Sequence, residues 1–235
     1  MSKLHDLADI GQSIWLDYIR RDILESGELN QLRQTGVRGV TSNPSIFEQA
    51  IARSDDYRDA LDRLIAENRS AQEIYEALAI EDIQQACDVF MSLYRQTDGA
   101  DGFVSLEVDP RLAYETEATI NQARRLFAAV DRPNLYIKVP ATPEGIPAIK
   151  QLISDGVNVN VTLIFAISAY EKVAEAYIAG LETLVEQGGN PGDVSSVASF
   201  FVSRVDSNID ERLRALGNES LLGLSLIHIS EPTRP

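Results

Sequence analysis

Five side chains in this 235-residue sequence combine residue type and spacing in a way that could do chemistry: Asp17, Glu107, Lys138, Asn160 and Thr162. Each falls in a short β-branched run, and in a strand successive side chains point to opposite faces. In VNVNVT, Val157, Val159 and Val161 form an apolar face, while Asn158, Asn160 and Thr162 share the other. NLYIKVP separates Leu135, Ile137 and Val139 from Tyr136 and Lys138. GFVSLEVDP opposes Val104, Leu106 and Val108 to Phe103, Ser105 and Glu107, and in SIWLDYI Asp17 keeps the parity of Ser13 and Trp15. A lysine flanked by aliphatic strand residues is expected to be desolvated toward its free amine, a nucleophile for a ketone. Two carboxylates can then divide the proton transfers, one as base and one as shuttle during carbinolamine dehydration. Each residue taken singly also has a bland reading: a snorkelling or paired lysine, structural carboxylates, a satisfied Asn–Thr network. Their coincidence near the C-terminal ends of four parallel strands favours a site, because that is where a βα barrel builds one. Asn43 joins them, since Pro44 restricts it to extended conformations just past a strand end.

The elements that must position these residues alternate short strands with helical patterns, which implies βαβ units and a parallel sheet. Strands are expected near residues 14–17, 37–41, 103–108, 135–139, 157–162 and 196–201. Between the second and third lies a long helical stretch over 44–94, with Ser70 and Glu73 at capping-box spacing. Ser168 and Glu171 repeat that spacing before a further helix, which Gly188 and Gly189 should end. The fold class is therefore α/β, with no linker dividing the chain.

Composition narrows the function further. With 44% hydrophobic and 24% charged residues the chain can bury one large core. Lys and Arg number 21 against 36 Asp and Glu, and a net charge of -15 would repel a phosphate backbone, so no nucleic-acid partner is expected. There is no apolar leader and no run approaching the roughly 18 apolar residues of a membrane span, which reads as a cytoplasmic chain without a membrane partner. Cys87 is the only cysteine and is expected in a buried helix, so neither a disulfide framework nor a thiolate cluster is available. His5 and His228, near the two ends, are the only histidines, which argues against His-based triads and metal sites. Neither a cofactor nor a metal is expected.

The segments WLDYI, GVTSNPSIF, VSLEVDPRLAYET, YIKVPAT, GVNVNVTLIF and ASFFVSRVD, in this order, resemble the transaldolases over about residues 7–222. ISAYEKVAEAYIAGLE and ERLRALG are similar to the longer-chain branch of that family. The resemblance implies a (β/α)8 TIM barrel of the class I aldolase type. It also implies a Schiff-base mechanism within the non-oxidative pentose phosphate pathway. Carried over by motif position, Lys138 would be the Schiff-base lysine, Glu107 the proton shuttle through a water, and Asp17 the base for carbon–carbon cleavage. Asn43, Asn160 and Ser199 would bind a dihydroxyacetone unit, Thr162 would hold the water, Phe201 would line the pocket, and Arg204 would grip a phosphate. The partners implied are sugar phosphates, a ketose donor and an aldose acceptor, with a possible homodimer in the full-length form. A fructose 6-phosphate aldolase-like lyase and a non-catalytic fragment are the alternatives.

The sequence departs from that pattern toward its end. Six of the eight strands are expected, and the second phosphate-binding arginine is missing, so the barrel is expected to be incomplete and this chain alone inactive or poorly folded. The segment GLSLIHISEPTRP fits neither helix nor strand and resembles read-through of a sequencing adapter. The expected division is a partial barrel domain over 1–223 and a non-native tail over 224–235.

Overall fold

A computed structural model describes residues 2–224, so the expected tail over 224–235, with His228, lies outside the described residues except for Leu224. Six strands form one sheet: β1 (Trp15–Leu16), β2 (Gly39–Thr41), β3 (Val104–Glu107), β4 (Leu135–Pro140), β5 (Val159–Ile164) and β6 (Ser196–Phe200). They pair in parallel in sequential order, β1 to β6. The helices are α1 (Lys3–Asp9), α2 (Arg21–Glu25), α3 (Glu28–Thr35), α4 (Pro44–Arg53), α5 (Arg58–Ala66), α6 (Ala71–Gln96), α7 (Thr116–Val130), α8 (Gly145–Ser154), α9 (Ile167–Glu186) and α10 (Val202–Ala215). Sequential parallel strands with helices packed on one face are the arrangement of an incomplete TIM barrel. All six strands stand where alternation puts them. β1 is shorter than expected and ends at Leu16, so Asp17 stands just beyond the ladder.

The core is the layer between the sheet and its helices. Val104, Leu106, Ile137, Val139, Val159 and Val161 project into it and meet Ile83, Cys87 and Phe90 of α6, Ile120 and Ala123 of α7, and Ile149 and Leu152 of α8. The opposite face of the sheet, the barrel interior, begins with an aromatic floor. The Phe103 and Tyr136 rings stack at 4.2 Å and Trp15 lies 6.0 Å from Tyr136. Gly39 admits this floor, because a Cβ there would stand 2.6 Å from the Trp15 ring.

The stretch over 44–94 resolves into three helices, α4, α5 and α6. Asp55 and Asp56 stand in the break between α4 and α5, and Asn68 at φ 57 in the break before α6, and neither acidic turn residues nor left-handed backbone continue a helix. Ser70 then caps α6, its Oγ accepting from the Glu73 amide while the Glu73 carboxylate accepts from the Ser70 amide. The second expected cap is not formed: α9 begins at Ile167 with Ala166 at the N-cap, which leaves Ser168 inside the first turn. Its other end behaves as expected, with the Gly188 and Gly189 amides donating to Val185 and Leu184 carbonyls at 2.9 Å. α10 starts at Val202 and so includes Arg204.

A second, smaller core of Ala50, Tyr57, Leu64 and Leu78 forms where α4 and α5 fold against α6. At its border lies a buried ionic cluster. The Arg21 guanidinium donates from Nε to Asp82 Oδ1 at 2.9 Å and from Nη2 to Glu81 Oε2 at 3.0 Å. The Tyr57 hydroxyl donates to Asp82 Oδ2 at 2.7 Å and accepts from the Arg21 main-chain amide at 3.1 Å. Asp82 is fully buried, and burial pushes its carboxyl above the usual range against the Tyr57 and Arg21 contacts that pull it down. Removing one partner of such a pair strands a buried charge. Asp82→Asn is therefore expected to lower the unfolding free energy by about 3–5 kcal/mol, read as a lower urea midpoint.

Candidate active site

Parallel pairing sets residues of adjacent strands side by side on one face, and the register here pairs Glu107 with Lys138 and Lys138 with Asn160. A carboxylate, an amine and an amide thus stand at one level on three neighbouring strands. Beside the aromatic floor a cavity of about 360 Å³ opens on this face, lined by Trp15, Phe103, Tyr136, Thr41, Asn160 and Ser199, and neither Glu107 nor Lys138 lines it.

Lys138 is 6% exposed. Its Nζ donates to Thr41 Oγ1 and to the Ser42 carbonyl, both at 3.3 Å, and lies 3.8 Å from Glu107 Oε2. All three contacts are long, so the amine is confined without being locked into a tight ion pair. Burial raises the Glu107 carboxyl above the usual range; the Lys138 cation opposes this and the nearby Asp17 carboxylate adds to it. Glu107 therefore holds a proton at higher pH than an ordinary glutamate does. Asp17 is exposed at the rim of the interior, close enough to act on Glu107 through its charge.

Asn160 is held at both ends of its amide. Its Nδ2 donates to Ser105 Oγ at 3.0 Å and its Oδ1 accepts from Ser199 Oγ at 2.8 Å. Thr162 is 1% exposed, and its Oγ1 finds no hydrogen-bond partner among the described residues. A buried hydroxyl in that condition is suited to hold a water or a ligand atom. Asn43 caps α4, its Oδ1 accepting from the Ile46 amide at 3.0 Å in the extended conformation that Pro44 imposes. Its amide nitrogen remains as the group for other contacts.

Strand alternation breaks just past Thr162. Leu163 adopts φ 60, and the β5–β6 ladder shifts register between Val161 and Ile164. A bulge adds one residue to the strand, so the parity behind it is reversed. Ile164 consequently packs in the helix-side core, while Leu163 is exposed and Phe165 stacks on Phe201 at 5.3 Å. The Arg204 guanidinium lies 4.4 Å over the Phe201 ring. Arg204 is exposed on the first turn of α10, at the rim where the C-terminal ends of β5 and β6 open.

The expected residues thus form two groups. Glu107, Lys138, Asn160, Thr162 and Ser199 converge on the inner face, with Asp17 and Asn43 beyond the ends of β1 and β2. Phe201 and Arg204 stack together at the rim. Residues not singled out from the sequence are Thr41 and the Ser42 carbonyl, which hold Lys138, and the hydrogen-bonding role of Ser105. Thr41 shares its parity with Gly39, facing Trp15, and that parity was the available signal. Among the described residues no three of His, Cys, Asp or Glu are arranged to hold a metal ion, and no helix is long and apolar enough to cross a membrane.

The transaldolase from Trichodesmium erythraeum is 48% identical over 93% of this chain and 59% of its own length. The transaldolase from Thiobacillus denitrificans is 47% identical over 95% of this chain and 63% of its own, and that from Acidothermus cellulolyticus 50% over 93% and 59%. The chain therefore spans about six-tenths of the length of these relatives. The Transaldolase/Fructose-6-phosphate aldolase family is matched over residues 14–227. By that match the chain belongs to the transaldolase/fructose-6-phosphate aldolase family.

Proposed function

We propose that the inner face of this sheet carries Schiff-base transaldolase chemistry with Lys138 as the nucleophile. The observation that supports it most is the buried Lys138 Nζ, 3.8 Å from a carboxyl held above its usual range and one strand from the Asn160 amide. The Lys138 amine adds to the ketone carbon of a ketose phosphate. Protonated Glu107 gives its proton, through a water on Thr162 Oγ1, to the carbinolamine hydroxyl, which leaves as water and forms the iminium. Asp17 takes the proton of the hydroxyl on the carbon beyond the bond to be broken. The bonding pair of that bond moves into the iminium to give an enamine, and an aldose phosphate departs. Attack of the enamine on a second aldose phosphate and hydrolysis of the new iminium complete the transfer of a dihydroxyacetone unit.

The donor and acceptor that suit this reading are sedoheptulose 7-phosphate and glyceraldehyde 3-phosphate, which yield erythrose 4-phosphate and fructose 6-phosphate. Asn43, Asn160 and Ser199 would bind the hydroxyls of the three-carbon unit, and Phe201 would line the pocket beside it. Arg204 would take a phosphate by charge-assisted hydrogen bonds, with Phe201 fixing the plane of its guanidinium.

Borohydride reduction in the presence of fructose 6-phosphate tests the nucleophile without the complete transfer, which the incomplete barrel is not expected to carry out: a covalent adduct on Lys138 is expected, lost in Lys138→Ala. No adduct on the wild-type chain, or an adduct that survives the substitution, overturns the reading. Glu107→Gln cannot shuttle a proton, and adduct formation should slow by about 10²–10⁴-fold.

The titration of Glu107 gives a check that needs no turnover. Asp17→Asn removes a like charge, so the Glu107 carboxyl should titrate at lower pH, whereas Lys138→Met removes the opposing cation and should move it higher. Carbon-13 NMR of labelled glutamate reads both directions.

A further inference from the structure

Asp17 is placed by very little of its own. β1 ends one residue earlier, so the ladder that fixes Glu107, Lys138 and Asn160 does not extend to it, and it is exposed. The residues just after it are held firmly. Ile19 is fully buried in the main core, and Arg21, which opens α2, is 6% exposed. Asp17 lies four residues from Arg21, a span of at most roughly 14 Å of extended chain, so a displacement of Arg21 passes to Asp17 with little slack.

Arg21 is gripped from three directions. Asp82 and Glu81 of α6 hold its guanidinium, and the ring of Tyr57 lies under it at 4.7 Å. The Tyr57 hydroxyl also takes the Arg21 main-chain amide, fixing the backbone itself. Glu81 is steadied in turn by Arg63 of α5 at 2.9 Å, and Arg20 Nε stands 3.5 Å from Asp56. Every side chain that holds Arg21 here, Tyr57, Glu81 and Asp82, comes from residues 57–82, within the elaborated crossover between β2 and β3. A single helix would suffice to carry the chain between those strands. Buried ion pairs of this kind are often no more stabilising than well-packed apolar residues of similar volume, so stability alone does not account for the cluster.

We propose that the Arg21–Tyr57–Asp82 cluster is a positioning device for Asp17, and that the α4–α5 part of the crossover serves to build it. The inference rests on the reading of Asp17 as the base for carbon–carbon cleavage. On that reading the cluster acts on cleavage and leaves Schiff-base formation at Lys138 alone, a separation that a general loss of structure would not produce.

The experiment compares the wild-type chain, Tyr57→Phe, and an apolar replacement combining Arg21→Met, Tyr57→Phe and Asp82→Leu. Three quantities are read: the melting temperature, borohydride trapping with dihydroxyacetone, which forms the Schiff base without cleavage, and single-turnover release of glyceraldehyde 3-phosphate from fructose 6-phosphate. Trapping is expected within about 2-fold of wild type in both variants, while release falls by about 10- to 100-fold, the scale of a displaced catalytic group. In the apolar variant release should stay low even where the melting temperature is retained. Trapping and release that fall together, or release that is unchanged in Tyr57→Phe, overturns the proposal, and Tyr57→Phe decides the matter if the apolar variant does not fold. A wild-type chain that traps no dihydroxyacetone overturns the functional reading, and the positioning proposal with it.

Discussion

The in-register pairing of β3, β4 and β5 is the constraint on which the rest of the site depends. In a parallel ladder, partnered residues point to the same side, so one register places Glu107, Lys138 and Asn160 together, and a slip of one residue would send Lys138 into the helix layer. The register is fixed by what lies behind it. Leu106, Ile137, Val139, Val159 and Val161 fill the layer under α6, α7 and α8, and exchanging faces would expose all of them while burying a carboxylate and an amine among aliphatic side chains. The hydrophobic core thus determines the geometry of the polar face without touching it.

That polar face is loosely charged because of its surroundings. Lys138 and Glu107 approach to 3.8 Å, a separation at which attraction persists but the direct hydrogen bond of a closed ion pair does not. Burial dominates the effect on Glu107, and its two charged neighbours act in opposite senses. A closed pair would hold Glu107 ionised and occupy the Lys138 amine; the longer separation leaves the Glu107 carboxyl raised and the amine outside a direct hydrogen bond to it. Asn160, by contrast, is held at both ends by Ser105 and Ser199. The groups suited to proton transfer have latitude, and the group suited to orientation has none.

This division was legible in the sequence to the extent that it follows from a period of two. Parity alone separates Glu107, Lys138, Asn160 and Thr162 from their aliphatic neighbours, and all six strands lie where their β-branched runs place them. Parity is informative only inside the ladder, and what it cannot place lies outside it. Asp17 has the right parity but stands past the last paired residue of β1. Arg21 finds Asp82 across 61 residues of sequence, a contact that no local periodicity encodes. The cap at Ser168 failed because the helix could begin at Ile167 directly after the bulged strand end, whereas Ser70 comes after a free turn and caps as its spacing requires.

The bulge at Leu163 is where local preference and site geometry conflict most openly. A leucine at φ 60 costs roughly 1–2 kcal/mol relative to right-handed or extended backbone, and a glycine there would avoid that cost. The gain is a reversal of parity at one point. Without it, regular alternation after the inward Thr162 would direct Ile164 toward the barrel interior and Phe165 toward the helices. With it, Ile164 completes the core and Phe165 reaches Phe201, over which Arg204 lies. One strained residue therefore lets a single strand serve two regions, the buried Asn160–Thr162 row below and the aromatic–arginine stack at the rim above. Strain confined to the residue between those regions is the expected signature of a backbone held by packing on both sides of it.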